Sequence, residues 1–395
     1  MQLTFDPDVE AFRAEFAAFL DAHLPSEAEA VERPRSSSHV PGWARRWQRL
    51  LFDSGWLVPG NPPEFGGRNA TLLQQYVYME ELGRRRIYQS FNPQGVGIVA
   101  ASLLTFGTPE QKQQWVVPIL RADITASLGM SEPGAGSDLA SLKTRAVLSS
   151  DSQGDHFVVN GQKVWTSGAH DADVLLTFVR TDPNVPKHKG ISALMIPTDT
   201  PGVVRRPFAS MCDNDELDFN EVFFTDARVP AENLVGQLNG GWRVATGSLG
   251  HERIMLWTGY VDLLHELTID FDPSGPLQRD HFATLIMDAY ALRLLGSAAL
   301  ARAARGEEDV PAQSVLKLLG SEALQRASED ALNAAGADGL VARAVTAPFA
   351  PLNLDSHYRS WFDRYARSFA ATIAGGTSEI QRNIIAERVL GLPRN

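Results

Sequence analysis

Between Ala126 and Val235 the sequence runs in short stretches rich in β-branched and aromatic residues, "HFVVNGQKVW", "DVLLTFVR", "ISALMIP" and "LDFNEVFF", parted by Gly, Pro, Asn and Asp. Runs of four to eight such residues between turn formers are the pattern of strands. On both sides the apolar residues recur instead at helical spacing. The chain is therefore expected to be α+β, with an N-terminal helical domain over 1–122, a middle β-barrel-like domain over 123–236 and a C-terminal four-helix bundle over 237–395.

Local signals sharpen this order. Asp6-Pro7 opens a helix as N-cap and first helical residue, and Val9, Phe12, Phe16, Phe19 and Leu20 then share one face. Thr108, Pro109 and Gln111 form a capping-box start. In "VVNGQKVW" Asn160-Gly161 suits a tight primed hairpin turn. "LIMDAYALRLLGSAALA" holds Asp288 and Arg293 and reads as a buried bundle helix and not as a membrane span.

Composition excludes several functions. A net charge of -11 with interspersed signs provides no basic stripe to follow a phosphate backbone, so no nucleic-acid partner is expected. The acidic start "MQLTFDPDVE" lacks a secretory signal, and a cytoplasmic location is expected. The single cysteine, Cys212, has no basic neighbour in "MCDNDELD" to favour its thiolate and reads as inert. No metal site is expected.

Three segments are able to carry chemistry. "LGMSEPGAGSDLASLKT", residues 128–144, combines Gly134 and Gly136 with Ser131 and Ser137, so it reads as a surface turn or as a loop whose backbone approaches a ligand closely. "VWTSGAHDADVLL" puts Trp165 at a strand end, followed by Thr166 and Ser167. The indole either packs between sheet and helices or offers a face to a flat ring, with hydroxyls at its edge. In "GGWRVATGSLGHERIMLWTGYVDLLHEL" an apolar stripe runs through Trp242, Ala245, Leu249, Leu256, Leu263 and Leu267, and Glu252 lies on it. An inward carboxylate is either paired with an arginine of a neighbouring helix or raised in pKa by desolvation and used as a base.

Together, the α-β-α order and the motifs "MSEPGAGSD", "VWTSGA", "GISALMIP", "VFFTDARVPAENLVG" and "GGTSEIQRNIIAERVLGLPR" make the chain resemble the acyl-CoA dehydrogenase family along its whole length. The resemblance implies FAD as cofactor, an acyl-CoA thioester as substrate, removal of hydrogens from its α and β carbons, and an electron-transferring flavoprotein as acceptor. It implies that Met130 and Ser131 bond the flavin's pyrimidine edge, that Ser137 meets the pyrophosphate and substrate region, and that Trp165 and Ser167 lie at the ring face and N5 edge. Leu128, Gly136 and Thr166 join the same cofactor set. Gly376, Thr377 and Glu379 would lie beside the thioester and cofactor.

One branch of the family carries its catalytic glutamate where this chain has Gly375; the long-chain and isovaleryl-type branch places it on a bundle helix. Alignment on Arg253, a substrate-side arginine in this resemblance, puts that second position at Glu252. Two family features depart. The Arg-x-x-Phe-Gly segment is replaced by "HELTIDFDPSGPLQRDHFATL", with Arg279 its weak counterpart. The Gln-x-x-Gly-Gly-x-Gly stretch reads "NAAGADG", with Asn333, Gly336 and Gly339 matching. Both belong to FAD contacts across a subunit interface, so a homo- or hetero-oligomer, dimer or tetramer, is expected. The rival readings are a flavin oxidase or monooxygenase of the same fold and a non-catalytic partner subunit.

Overall fold

The computed structural model describes residues 5–26, 28–30, 32–85, 87–152, 154–211, 217–253, 256–270, 273–307, 310–341 and 360–393; the side chains of 248–253, 256, 270, 310 and 311 lie outside that description. Cys212 also falls outside it.

The chain opens with α1 Pro7–His23, α2 Gly42–Asp53 and α3 Leu72–Arg85. A π-helical Gly95–Ala100 leads into α4 Ala101–Phe106, and α5 Pro109–Gln111 continues through a π-helical Lys112–Val116 to α6 Val117–Leu120. Among the described residues eight strands follow: β1 Ala126–Gly129, β2 Arg145–Asp151, β3 Gly154–Lys163, β4 Val174–Arg180, β5 Ile191–Pro197, β6 Val203–Phe208, β7 Phe219–Pro230 and β8 Leu234–Val235. The described residues beyond β8 form α7 Gly241–Arg253, α8 Leu256–Asp270, α9 Pro276–Ala304, α10 Val310–Ala335, α11 Trp361–Ile373 and α12 Ser378–Ile384. An N-terminal helical, a middle β-sheet and a C-terminal helical domain thus follow one another, as the periodicity requires.

Two compact units emerge from the packing. One comprises Pro25–Asn69 and Gln89–Glu252 and contains the sheet. Its strand order is β6-β7-β3-β2-β4-β5-β8, with β1 parallel to β4. Phe157 and Val159 of β3, Val222 and Phe224 of β7, Leu175 and Val179 of β4, and Leu194 and Ile196 of β5 belong to one buried cluster. Strands far apart in the hydrogen-bonded order share that core, so the sheet curls round it. Among the described residues no pairing joins β6 to β8.

Asn160-Gly161 is not a hairpin turn. β3 runs straight through it, and the tight connection lies between β2 and β3, where Asp151 pairs with Gly154. Gly161, at φ 149°, sits where β3 shifts register against β7, and a Cβ there would stand 2.6 Å from the Thr144 Cα. The glycine serves a bulge and a close approach of two chains.

The other unit comprises Met1–Leu24, Ala70–Tyr88 and Arg253–Asn395. α1 buries Val9, Phe12, Phe16 and Leu20, and Phe16 meets Tyr78 of α3 at 4.4 Å between ring centroids. α3 reaches α8 through Tyr76, which stacks on Trp257 at 5.7 Å. α8, α9, α10 and α11 pack together as the bundle.

α9 departs from the buried helix that its composition suggests. Leu285, Leu292, Gly296 and Leu300 face inward, but Leu277, Met287, Tyr290, Leu294 and Leu295 are exposed, Met287 by 70%. By length and composition alone α9 is apolar enough to cross a membrane. Apolar content on two opposite faces produces that signal, and only one of those faces is covered within the unit.

Candidate functional site

In the sheet-containing unit the small-residue loop leaves β1 at Gly129 and runs to a short turn of 3-10 helix, Leu139–Ser141, before β2. Polar ties hold its start to the end of β3. The Val164 N–H donates to the Ser131 carbonyl at 2.9 Å, and the Lys163 Nζ donates to the Met130 carbonyl at 3.0 Å and to the Glu132 Oε1 at 2.9 Å. Glu132 in turn accepts from the backbone N–H groups of Lys143 at 2.6 Å and Thr144 at 2.8 Å, at the loop's far end. Nothing packs against the Cα hydrogens of Gly134 and Gly136 where a Cβ would stand, and Gly136 and Ser137 are exposed. The loop is held from below and open above.

Charges beneath the loop are strongly perturbed. Burial pulls the Lys163 ammonium down to about 8, against the upward pull of Glu132. For Glu132, burial acts upward, yet the Lys163 charge and the donors around the carboxylate outweigh it and hold the group below its ordinary value.

Two residues past β3, Trp165 adopts a left-handed backbone at φ 60° and is 59% exposed. Phe208 and Phe219 meet its ring edge-on at 5.1 and 5.4 Å. The indole is thus not packed between sheet and helices; its orientation is fixed by two aromatic neighbours and strained backbone. Thr166 is fully buried, and its hydroxyl has no hydrogen-bond partner among the described residues. Ser127 donates to the Ser167 carbonyl at 2.6 Å, tying this turn to β1, whose Leu128 is half-buried. An exposed flat ring beside an unsatisfied buried hydroxyl and an open, serine-bearing loop fits the edge and face of an isoalloxazine.

Glu252 lies in α7 and Arg253 ends it, but both side chains are outside the described set, as are those of Leu249 and Leu256. Of the stripe expected around Glu252, Ala245 and Leu267 are buried, while Trp242 and Leu263 are half-buried. On α8 the buried residues are Trp257, Thr258, Leu264 and Leu267.

The helical unit contains the glycine turn. Gly375 and Gly376 take φ 67° and 93°, and Thr377 caps α12 by accepting from the Ile380 N–H at 3.2 Å. The Lys317 Nζ donates to the Gly376 carbonyl at 2.8 Å, and the Gln381 Nε2 to the carbonyls of Gly375 at 3.2 Å and Gly376 at 3.3 Å. In a trans peptide the N–H opposes the C=O, so holding the Gly375 carbonyl aims the Gly376 N–H away from Gln381. Glu379 is exposed, 3.6 Å from Arg382.

Sequence reading selected Trp165 and both loops but missed Lys163, Glu132, Lys317 and Gln381 as their supports. Lys163 and Lys317 sit among buried neighbours, and a lysine in an otherwise inward position is the signal that would have found them.

The chain matches the acyl-CoA dehydrogenase N-terminal domain over residues 6–123, the middle domain over 127–227 and the C-terminal domain over 239–390. The chain belongs to the acyl-CoA dehydrogenase family, oxidoreductases that use FAD. It is 36% identical over 402 residues to the acyl-CoA dehydrogenase IpdE1 of Mycobacterium tuberculosis, spanning 98% of each chain. Among solved structures, the Tcur3481-Tcur3483 steroid ACAD matches at TM-score 0.77 and 30% identity, over 100% of both chains. The ChsE4-ChsE5 complex from Mycobacterium tuberculosis matches at TM-score 0.76 and 28% identity, also over 100% of both.

Proposed function

We propose that the chain performs FAD-dependent α,β-dehydrogenation of an acyl-CoA thioester to the trans-2-enoyl-CoA, with Glu252 as the base and an acyl group of steroid type. The exposed Trp165 indole beside the unsatisfied Thr166 hydroxyl, at the end of the strand that anchors Ser131, carries this reading. Leu128, Met130, Ser131, Gly136, Ser137, Trp165, Thr166 and Ser167 would hold the cofactor, joined by Thr377 and Glu379. Bound FAD supplies the acceptor for the β hydrogen and its electron pair, and releases the electrons to an electron-transferring flavoprotein.

Glu252 takes the α proton, and the charge that develops on the thioester oxygen is met by the Gly376 N–H. Gly375 has no side chain for this task, and the resemblance to the long-chain and isovaleryl-type branch puts the base at Glu252, on α7. Arg253 and Ser137 act on the substrate side. The steroid assignment is supported by the relative described as a steroid ACAD. Two-chain assemblies among the relatives, Tcur3481-Tcur3483 and ChsE4-ChsE5, support a hetero-oligomer, and the exposed apolar row on α9 suits such an interface.

Anaerobic titration of the purified protein with short, medium, long, branched and ring-bearing acyl-CoAs, followed by flavin absorbance, tests the reading. Bleaching by ring-bearing thioesters is expected, with reduction slowed about 100-fold or more in Glu252→Gln. Bound flavin that no thioester reduces would favour an oxidase or monooxygenase instead, and protein devoid of flavin a supporting subunit.

A further inference from the structure

Met130 and Ser131 sit over a buried ion pair that the reaction as described does not use. Lys163 is completely buried and Glu132 nearly so, an arrangement that costs desolvation energy unless every lone pair and proton is engaged. Here the engagement is with backbone. Lys163 holds the Met130 carbonyl at one end of the loop, and Glu132 holds the Lys143 and Thr144 N–H groups at the other. Arg180 closes the frame, donating to the carbonyls of Ala140 at 2.5 Å and Leu142 at 3.2 Å. Apolar packing does not shape the tip, since the space around Gly134 and Gly136 is open.

The peptide joining Met130 to Ser131 has its carbonyl on an ammonium, so its N–H, that of Ser131, points the opposite way. A cation on the carbonyl oxygen withdraws electron density from the peptide and makes that N–H a stronger donor. The neighbouring peptide repeats the pattern, its Ser131 carbonyl held by the Val164 N–H. The loop's inner edge is therefore saturated by its supports.

Resting on the flavin reading above, we propose that Lys163 and Glu132 are positioning residues for the cofactor: the pair fixes the loop 130–144 and, through the Met130 carbonyl, strengthens the Ser131 N–H as a donor to the flavin's pyrimidine edge. Reduction places negative charge on that edge of a flavin, so the stronger donor favours the reduced form. The charged groups facing Lys163 are Glu132 from the loop and Arg180 from β4; β7 presents the apolar Val222 opposite it, and Glu221, one residue away, accepts from Gln162 at 2.9 Å.

FAD affinity of the deflavinated protein, measured by quenching of flavin fluorescence, and the midpoint potential of the reconstituted protein form the test. Lys163→Met is expected to weaken FAD binding about tenfold or more and to move the potential to more negative values. The double variant Lys163→Met/Glu132→Gln leaves no buried charge unpaired, so it serves as the folded control and is expected still to show both shifts. Unaltered protein supplies a third readout that needs no variant: its FAD affinity is expected to fall as pH rises through about 8, as Lys163 loses its proton. An affinity that falls with pH equally in the unaltered protein and in Lys163→Met would overturn the proposal. So would a folded variant with unchanged affinity and potential. Protein that takes up no FAD at any pH would sink the flavin reading itself, whereas normal uptake with an inert Lys163→Met sinks this inference alone.

Discussion

Gly296 of α9 lies against Trp257 of α8 so closely that the helix pair has no room for a methyl group. A Cβ on Gly296 would stand 2.2, 2.4 and 2.5 Å from the Trp257 Cδ2, Cε2 and Cε3, about 1 Å inside the range of ordinary contacts. Trp257 is buried and stacked on Tyr76, so it has no free direction in which to yield. In an exposed helix Gly→Ala would be favourable by about 1 kcal/mol. Here overpacking opposes it by about 1–3 kcal/mol, and three clashing ring atoms place the cost at the upper end. Gly296→Ala should therefore lower stability by about 1–2 kcal/mol, read as a fall in the urea midpoint at unchanged slope. Trp257→Phe should restore part of it in the double variant, because the lost ring is the clashing one and its Nε1 has no partner among the described residues. A midpoint for Gly296→Ala equal to or above that of the unaltered protein would refute the packing argument.

Other perturbations act nearer the chemistry. Lys317→Met removes the ammonium from the Gly376 carbonyl and should cut kcat/KM about tenfold, with steady-state kinetics as the check; an unchanged value would show that Gln381 alone holds the turn. Trp165→Ala should leave stability within about 0.5 kcal/mol, because the side chain is exposed, yet weaken FAD about tenfold, measured by fluorescence titration. In the deflavinated protein, burial holds Lys163 at about 8 against an ordinary 10.5, so the unfolded chain binds more protons between those values. Lys163 therefore makes unfolding free energy rise with pH across that window, and the slope should be smaller in Lys163→Met.

How far the sequence revealed this architecture depended on whether the signal was local. The capping box at Thr108 and Gln111 formed as read, because each bond spans three residues. The α1 face held for Val9, Phe12, Phe16 and Leu20, while Phe19 turned aside to stack on His23 at 4.5 Å. Asn160-Gly161 misled because the same dipeptide that permits a tight turn also permits a bulge, and pairing with β7 and the approach of Thr144 selected the bulge. α9 misled differently: periodicity shows that a face is apolar but not whether its own chain covers it. At the candidate site, the glycines, serines and tryptophan announced themselves by type. Lys163 and Lys317 did not, since a lysine at a strand end or on a helix ordinarily reaches solvent, and only the tertiary path of the loop and turn brings carbonyls to their ammonium groups.

Among the described residues, Trp165 is the one exposed indole; Trp43, Trp47, Trp56, Trp257 and Trp361 are buried, and Trp115 and Trp242 are half-covered. Iodide in solution should thus quench one spectrally red-shifted component of the emission and leave most of the remainder. A ring laid on that indole would shield it from iodide, so the quenchable fraction measures occupancy directly, with no label and no turnover.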